Sequence, residues 1–276
     1  MIGGSPPRQP ARYFSGRILV ADDDVMHRRL TTAHLARLGL GADGVGDGQA
    51  ALAAIATQAY DLVLMCCYLP HRDGYQATRD LRAREAVHQL ARLPVVALGN
   101  DVSADDRERC HTAGMDDLLA KPVQVEALSD ALARFLPVIA GPSPTPITSV
   151  VLVGSPAQET VIDPQVLARL RVELGDDAIC GEMVQIFLSE APRHLQAVLA
   201  CGRAPDDEAL LRATHKLKGS CQIIGAQRLA HRCVLLENLL RAGKRPAIAM
   251  VLGELPDLLQ DTLRTLRQVA RDLTPE

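Results

Sequence analysis

The chain has 276 residues, of which 47% are hydrophobic, and a formal net charge of −3. This length fits two domains, and the lack of a basic patch or polybasic segment argues against nucleic-acid binding and membrane insertion. Seven cysteines without a Cys-x-x-Cys pair argue against a disulfide framework and a structural zinc site. Without an apolar leader or an apolar run of about 20 residues, the sequence predicts a cytoplasmic protein.

Short apolar runs alternate with amphipathic segments in the first half of the chain. The predicted strands cover 17–21, 42–45, 61–65, 94–98 and 115–119, and the predicted helices cover 26–38, 49–56, 75–86, 103–113 and 125–135. Because the strands are apolar throughout and alternate with helices, we expect a (βα)5 doubly wound parallel sheet. In such a sheet the functional crevice lies at the carboxyl ends of the strands.

The second half is helical and follows a proline-rich stretch that is typical of an extended linker. Asp163 and Pro164 form a good helix start, and the predicted helices cover 164–174, 177–200, 206–224, 226–242 and 246–273. Pro192 and Pro256 are expected to kink their helices or mark boundaries. The fold class is therefore α/β plus all-α, with a flexible segment (1–15), an α/β domain (16–136), a linker (137–160) and a four-helix bundle (161–276).

His215 lies on a predicted helix whose apolar residues point elsewhere. The apolar residues recur at helical spacing: Leu210, Ala213, Leu217, Cys221 and Ile224. His215 is roughly 200° around the helix from Leu217, so it faces away from that core. A neutral imidazole nitrogen is a nucleophile near physiological pH, and a lysine can contact a phosphate oxygen. The neighbours predicted to bind a phosphate or a partner are Lys218, Gly219, Leu211 and Gln222.

The segment Ala213-Thr214-His215-Lys216-Leu217-Lys218-Gly219-Ser220 resembles the signature of histidine-phosphotransfer (Hpt) domains. The resemblance covers 161–273 and includes Cys233 and Glu237 on the next helix. It implies a four-helix bundle that carries a phosphoryl group on His215 between receiver aspartates, with no catalytic centre or cofactor of its own. Mg²⁺ would come from the partner receiver. The alternative is that His215 is an ordinary exposed histidine.

The first half resembles a response-regulator receiver domain. Asp22 and Asp23 stand where that family has its Mg²⁺-binding acidic pair, and Lys121-Pro122 stands where it has a Lys-Pro step. The run 69–74 matches the loop after the third strand. The resemblance implies that this strand should end on a phosphoryl-accepting aspartate.

Three positions depart from the receiver pattern. Cys66 replaces the acceptor aspartate, Gly99 replaces the serine or threonine that senses the phosphoryl group, and Leu118 replaces a switching aromatic residue. A thiol is a poor ligand for Mg²⁺. These departures predict a degenerate receiver, or pseudoreceiver, that is not phosphorylated.

The vestigial residues allow alternative interpretations. Asp22, Asp23 and Lys121 either pair with one another as leftovers, or form a weak Mg²⁺ site or a surface that docks a kinase. Cys66 is either a small apolar filler or a redox switch with a thiol pKa lowered by a nearby lysine. Cys67 is expected on the opposite face of the strand, so the two do not form a natural disulfide.

These features together predict a two-component phosphorelay protein that accepts and donates a phosphoryl group on His215. Its expected partners are response-regulator receiver domains and an upstream sensor or hybrid histidine kinase, and the receiver half would dock a partner, orient the bundle or mediate a homodimer. One alternative is a silent interaction protein that sequesters a kinase or regulator. Another is a C-terminal fragment of a hybrid sensor histidine kinase.

Overall fold

A computed structural model of the protein describes residues 12–99, 102–139, 160–204 and 206–273. The first part, called here the α/β domain, contains β1 (Tyr13–Phe14), β2 (Arg17–Ala21), α1 (Val25–Arg37), β3 (Gly41–Val45), α2 (Gly48–Thr57), β4 (Leu62–Cys66), α3 (Gly74–His88), β5 (Val95–Gly99), α4 (Ala104–Thr112), β6 (Asp117–Ala120), α5 (Val125–Leu132) and β7 (Val138–Ile139). The second part, called the helical domain, contains α6 (Pro164–Leu174), α7 (Asp177–Arg203), α8 (Asp207–Ile224), α9 (Gln227–Arg241) and α10 (Arg245–Leu273).

The α/β domain is built on a five-stranded parallel sheet in the order β3-β2-β4-β5-β6. Every residue of β4 and β5 is buried, because helices cover both faces of the sheet and leave no side of a central strand in water. The predicted fold class is confirmed. The third predicted strand runs one residue further than expected, to Cys66, which places that side chain at the carboxyl edge of the sheet.

The short strands β1 and β7 form an antiparallel pair beside the main sheet. Phe14 is fully buried in the core that also contains Leu35 and Leu132. Burial of Phe14 and backbone pairing thus hold in place the residues that flank the predicted α/β domain, 16–136. The rest of the predicted N-terminal segment and most of the predicted linker (1–11 and 140–159) lie outside the described residues.

The helical domain is a bundle of α7, α8, α9 and α10, with α6 packed against α7 and α8. The first helix begins as expected, with the Asp163 carboxylate accepting a hydrogen bond from the Gln165 amide at 2.8 Å. Helix α8 ends where Gly225 adopts a left-handed conformation, φ 76°. Pro192 and Pro256 do not mark boundaries, since α7 and α10 both continue through them.

Helix α1 of the α/β domain packs against the helical domain. Met26, Leu30 and Ala33 are at most 5% exposed and belong to the same apolar cluster as the bundle core. The two domains therefore share a continuous apolar interface. Within the described ranges, no helix combines the length and apolar character needed to span a bilayer.

Candidate functional site

The vestigial receiver residues meet at the carboxyl edge of the sheet, where strand ends bring together side chains that are distant in sequence. Lys121 Nζ lies 2.6 Å from Asp22 Oδ2 and 3.2 Å from Cys66 Sγ, and all three side chains are buried or nearly so. Asp23 does not join this group, because its Oδ2 accepts a hydrogen bond from Lys216 of the helical domain at 2.6 Å. The expected mutual pairing of the vestigial residues therefore holds for Asp22 and Lys121 only.

Cys66 is not an activated thiol. Burial raises its pKa to about 11, and this effect outweighs the attraction of the nearby Lys121 ammonium group. Lys121 does lower the pKa of this thiol, as expected, but the net shift is upward because the thiolate would lose its hydration on burial and also faces the carboxylate of Asp22. Cys66 and Cys67 are both free thiols of the same apolar cluster, and the sulfur of Cys67 lies 3.9 Å from that of Cys110.

The residues at this edge form a poorer donor set for magnesium than three carboxylates would. Ligand atoms of Asp22, Asp23 and Cys66 lie within 4.8 Å of one another, but one of the three is a sulfur, which Mg²⁺ disfavours. The Asp22 carboxylate is already neutralised by Lys121 at 2.6 Å. The donor set is therefore two carboxylates and a thiol, and the weak Mg²⁺ site at Asp22 and Asp23 stays a prediction.

His215 lies at the boundary between the two domains. As the helical pattern predicts, Leu210, Leu217 and Cys221 on the opposite face of α8 are buried in the bundle core. The His215 side chain is 18% exposed, and its Nδ1 atom lies 3.0 Å from Glu237 Oε1 on α9. Lys218 Nζ donates to the other carboxylate oxygen, Oε2, at 2.8 Å.

Glu237 orients the His215 ring. Burial alone would raise the pKa of this carboxyl group, but hydrogen bonds from His215 and Lys218 outweigh it and lower the pKa below its ordinary value. An ionised carboxylate can only accept, so the proton of a neutral His215 ring must be on Nδ1. The lone pair is then on Nε2, which makes Nε2 the nucleophilic nitrogen.

A cavity of about 180 Å³ separates His215 from the α/β domain. The helical domain contributes His215, Leu211 and Arg212, and the α/β domain contributes residues around its carboxyl edge, including Tyr68, Gly99 and Leu118. Two of the three departures from the receiver pattern thus line the space in front of the histidine. The phosphotransfer residues and the vestigial receiver residues, predicted separately, belong to one region.

The predicted neighbours of His215 divide into three groups. Leu211 lines the cavity and Lys218 approaches the histidine through Glu237, whereas Gln222 is exposed and takes no part in these contacts. Gly219 is a point of close approach as expected, but the approaching group is the ring of His27 on α1, only 2.6 Å from where a Cβ atom would lie.

Three residues in this region were not assigned these roles from the sequence: Glu237, Lys216 and His27. Glu237 belongs to the stretch that resembles the Hpt family, yet nothing in its own spacing shows that it contacts His215 from another helix. The other two had no recognisable signal, since their partners lie about 190 residues away in the chain.

The family model for the response regulator receiver domain matches residues 18–133, and the model for the Hpt domain matches residues 182–268. The matched ranges coincide with the α/β domain and with the bundle helices. Histidine 215 lies within the matched Hpt region, and the vestigial edge lies within the matched receiver region.

Relatives match most of the chain. It is 30% identical over 235 residues, 84% of its length, to the sensor protein GacS of Pseudomonas syringae pv. syringae. It is 28% identical over 261 residues, 90% of its length, to the signal transduction histidine-protein kinase BarA of Escherichia coli K12. The matched regions cover 25% and 27% of these proteins, so the chain spans about a quarter of their length.

Among solved structures, the receiver domain of a sensor histidine kinase from Pseudomonas aeruginosa PAO1 is 39% identical, covers 44% of this chain and 97% of its own, and superposes with a TM-score of 0.40. The family matches carry the assignment. The chain contains a response regulator receiver domain followed by an Hpt domain, which is the architecture of the C-terminal part of hybrid histidine kinases.

Proposed function

We propose that this chain relays phosphoryl groups on Nε2 of His215, while its receiver domain takes up none. The observation that supports this most directly is the hydrogen bond between His215 Nδ1 and Glu237, at 3.0 Å. It holds the proton on Nδ1 and leaves a lone pair on Nε2 of a ring that lines the cavity.

In the proposed step, Nε2 attacks the phosphorus of an aspartyl phosphate on a partner receiver domain. The N–P bond forms, the acyl P–O bond breaks, and the partner's aspartate leaves as a carboxylate. Nδ1 keeps its proton, so positive charge develops on the ring beside the Glu237 carboxylate, which stabilises it. The reverse step delivers the group to another receiver, and the partner receivers supply Mg²⁺.

Lys218 is placed to assist the same step. Its ammonium group is 2.8 Å from Glu237 Oε2 and one helical turn from His215. An incoming phosphoryl group offers a second anion to this cation, and a flexible lysine stem can turn from one to the other. Lys218 would then screen the charge of the phosphoryl oxygens.

The receiver domain is proposed to be a pseudoreceiver. Without a carboxylate at Cys66 there is no acyl phosphate to form, and the buried thiol, with a pKa of about 11, is a poor substitute nucleophile at neutral pH. Gly99 and Leu118 remove the hydroxyl and the aromatic ring that would respond to phosphorylation. In this proposal, sensing and kinase activity belong to other proteins or to other parts of a longer chain.

The test is transfer of radiolabelled phosphate from a phosphorylated receiver domain or an active histidine kinase to this protein. We expect an acid-labile label that is lost in His215→Ala and kept in Cys66→Ser. His231→Ala, on the exposed face of α9, is the matched control and should label normally. Label that survives His215→Ala, or that is lost in Cys66→Ser, would contradict the proposal.

A second candidate is a silent interaction protein that binds a kinase or regulator without accepting phosphate. It is favoured by one observation, the low exposure of the His215 side chain beneath the receiver domain. Absence of label on the wild type across a panel of donors, together with stable binding to one of them, would support this candidate instead.

A further inference from the structure

The receiver domain lies on the face of the Hpt domain that carries His215. Met26, Leu30 and Ala33 project from α1 into the apolar cluster of the bundle and are almost completely buried there. The receiver domain's own core on the other side of α1 is formed by different residues, such as Leu35 and Leu38. Helix α1 therefore has two apolar faces, and one of them serves only the contact with the Hpt domain.

Polar contacts fix the register of this interface. Lys216 donates to Asp23 at 2.6 Å, and Arg29 donates to Glu182 on α7 at 2.6 Å. The hydroxyl of Ser220 donates to the buried carboxylate of Asp24 at 3.4 Å. Because cationic and anionic partners alternate across the interface, a shift of α1 along α8 would break several of these contacts at once.

Glycine 219 brings the two helices together. The ring of His27 lies so close that a Cβ atom at this position would be 2.6 Å from its Cε1 atom. Any side chain here would have to displace the His27 ring from its buried place between the two helices. The mid-helix glycine, which costs about 1 kcal/mol relative to alanine, is thereby explained by close packing between domains.

The contacts surround the phosphorylatable histidine. Lys216 follows His215 directly, Gly219 is one turn further along the same helix, and the receiver domain closes the far side of the cavity in front of the ring. A partner receiver that takes the phosphoryl group from His215 must place its own carboxyl edge in that same space. Two receiver domains cannot occupy it together.

We propose that the receiver domain is an intramolecular occupant of the receiver-docking surface of the Hpt domain, and that partner receivers reach His215 only by displacing it. This inference rests on the proposed relay function. It also defines the kind of partner that fits, namely a receiver domain that presents a carboxylate to Lys216 from the loop before its first helix, and an apolar face of that helix to the bundle.

The replacement of the acceptor aspartate by Cys66 is consistent with this arrangement. A receiver domain with an aspartate at position 66 would face His215 and take the phosphoryl group from it. Cys66 cannot accept this group. The bound receiver domain therefore covers the histidine without consuming what the histidine carries. It excludes partner receivers that bind weakly, because they must compete for the same surface with a domain that is tethered in the same chain.

The test measures access to His215 directly, using the full chain and diethyl pyrocarbonate, a small reagent that acylates exposed imidazole nitrogens. Met26→Asp places a charge in the apolar interface and should open it. If the covered state holds about nine-tenths of the molecules, opening raises the acylation rate of His215 about tenfold. His111, an exposed residue near the end of α4, is the internal standard and should react equally in both proteins.

A pair of charge-swap variants controls for the possibility that a substitution exposes His215 by misfolding the protein. Arg29→Glu should unmask His215 a few-fold through repulsion from Glu182, and the double variant Arg29→Glu/Glu182→Arg should return the rate toward that of the wild type. Val87→Asp makes the same apolar-to-acid change at a position 76% exposed on α3 and should have no effect. Far-UV circular dichroism checks that each variant is folded.

The outcomes separate this inference from the relay itself. Equal acylation of His215 in the wild type and in both opened variants would overturn the inference, whatever the relay does. If His215 is unmasked in the opened variants and labelled faster by a phosphorylated receiver domain, the inference is supported. If His215 is unmasked in the opened variants but no donor ever labels it, the proposed relay function is wrong. The proposed competition with partner receivers is then wrong as well, although the contact between the two domains is still supported.

Discussion

Replacing Glu237 by glutamine is expected to slow phosphoryl transfer to His215 while leaving the bundle folded. The glutamine has nearly the same shape, and its carbonyl oxygen can still accept a hydrogen bond from Nδ1. What it lacks is the negative charge, 3.0 Å from that nitrogen in the wild type. The substitution therefore isolates the electrostatic contribution of this residue.

The size of the effect follows from the distance. A full charge pair at this separation interacts by about 5 kcal/mol at an effective dielectric constant of about 20. If the ring carries about half a positive charge in the transition state, the loss is about 2–3 kcal/mol, or a rate lower by roughly 30- to 150-fold. Lys218 loses the same partner, which adds a destabilisation of the folded state of about 1–3 kcal/mol.

The assay is single-turnover transfer from a phosphorylated receiver domain, with the imidazole nitrogens followed by ¹⁵N NMR. Wild-type His215 should show its proton on Nδ1, and Glu237→Gln should show a mixture of the two tautomers. Glu190→Gln, which removes a carboxylate held by Arg193 on the same helix, is the matched control. A Glu237→Gln protein that transfers at the wild-type rate would refute the role assigned to this carboxylate.

Three further predictions test the core, the pH dependence and the thiol. Phe187→Ala should lower the free energy of unfolding by about 3–5 kcal/mol, since the ring is fully buried in the bundle core; urea denaturation measures it, and a change under 1 kcal/mol would show that the site repacks. Burial lowers the pKa of His34 to about 4, so the unfolded chain binds a proton first as the pH falls. His34 should therefore contribute a loss of stability of about 1.4 kcal/mol per pH unit from about pH 6.5 to pH 4, and His34→Gln should make the slope shallower by that amount, which an unchanged slope would contradict. Iodoacetamide at pH 8 should modify the partly exposed Cys201 well before Cys66, whose thiol pKa is raised to about 11; equal reactivity by mass spectrometry would count against a buried, protonated thiol.

The local patterns of the sequence predicted most of the secondary structure. The runs that form β2 and β4 are apolar throughout, which is typical of strands covered on both faces. Asp163 and Gly225 mark the beginning of α6 and the end of α8 through interactions within a few residues. Such signals can be recognised in a single sequence, because both partners of each interaction lie within a few residues of each other.

The prolines predicted helix boundaries less well. Pro192 and Pro256 were expected to kink their helices or to mark boundaries, and the boundary alternative is wrong, since α7 and α10 continue through both. Packing of these long helices around a shared core outweighs the loss of one backbone hydrogen bond at each proline. Strands β1 and β7 were missed for a different reason: two residues carry no periodicity, and the pair is held by the burial of Phe14 and by backbone pairing.

The sequence alone determined which side chains can do chemistry: the histidine that faces away from its helix core, and the cysteine that stands in place of an acceptor aspartate. The tertiary structure decided what surrounds them. Glu237 reaches His215 from another helix, His27 fills the space over Gly219, and burial raises the pKa of Cys66 despite its lysine neighbour. The physical reason is the separation in sequence of the groups involved. The helix or strand face on which a side chain lies follows from its near neighbours in the chain. Its charge state and accessibility depend on burial and on groups that only folding brings close.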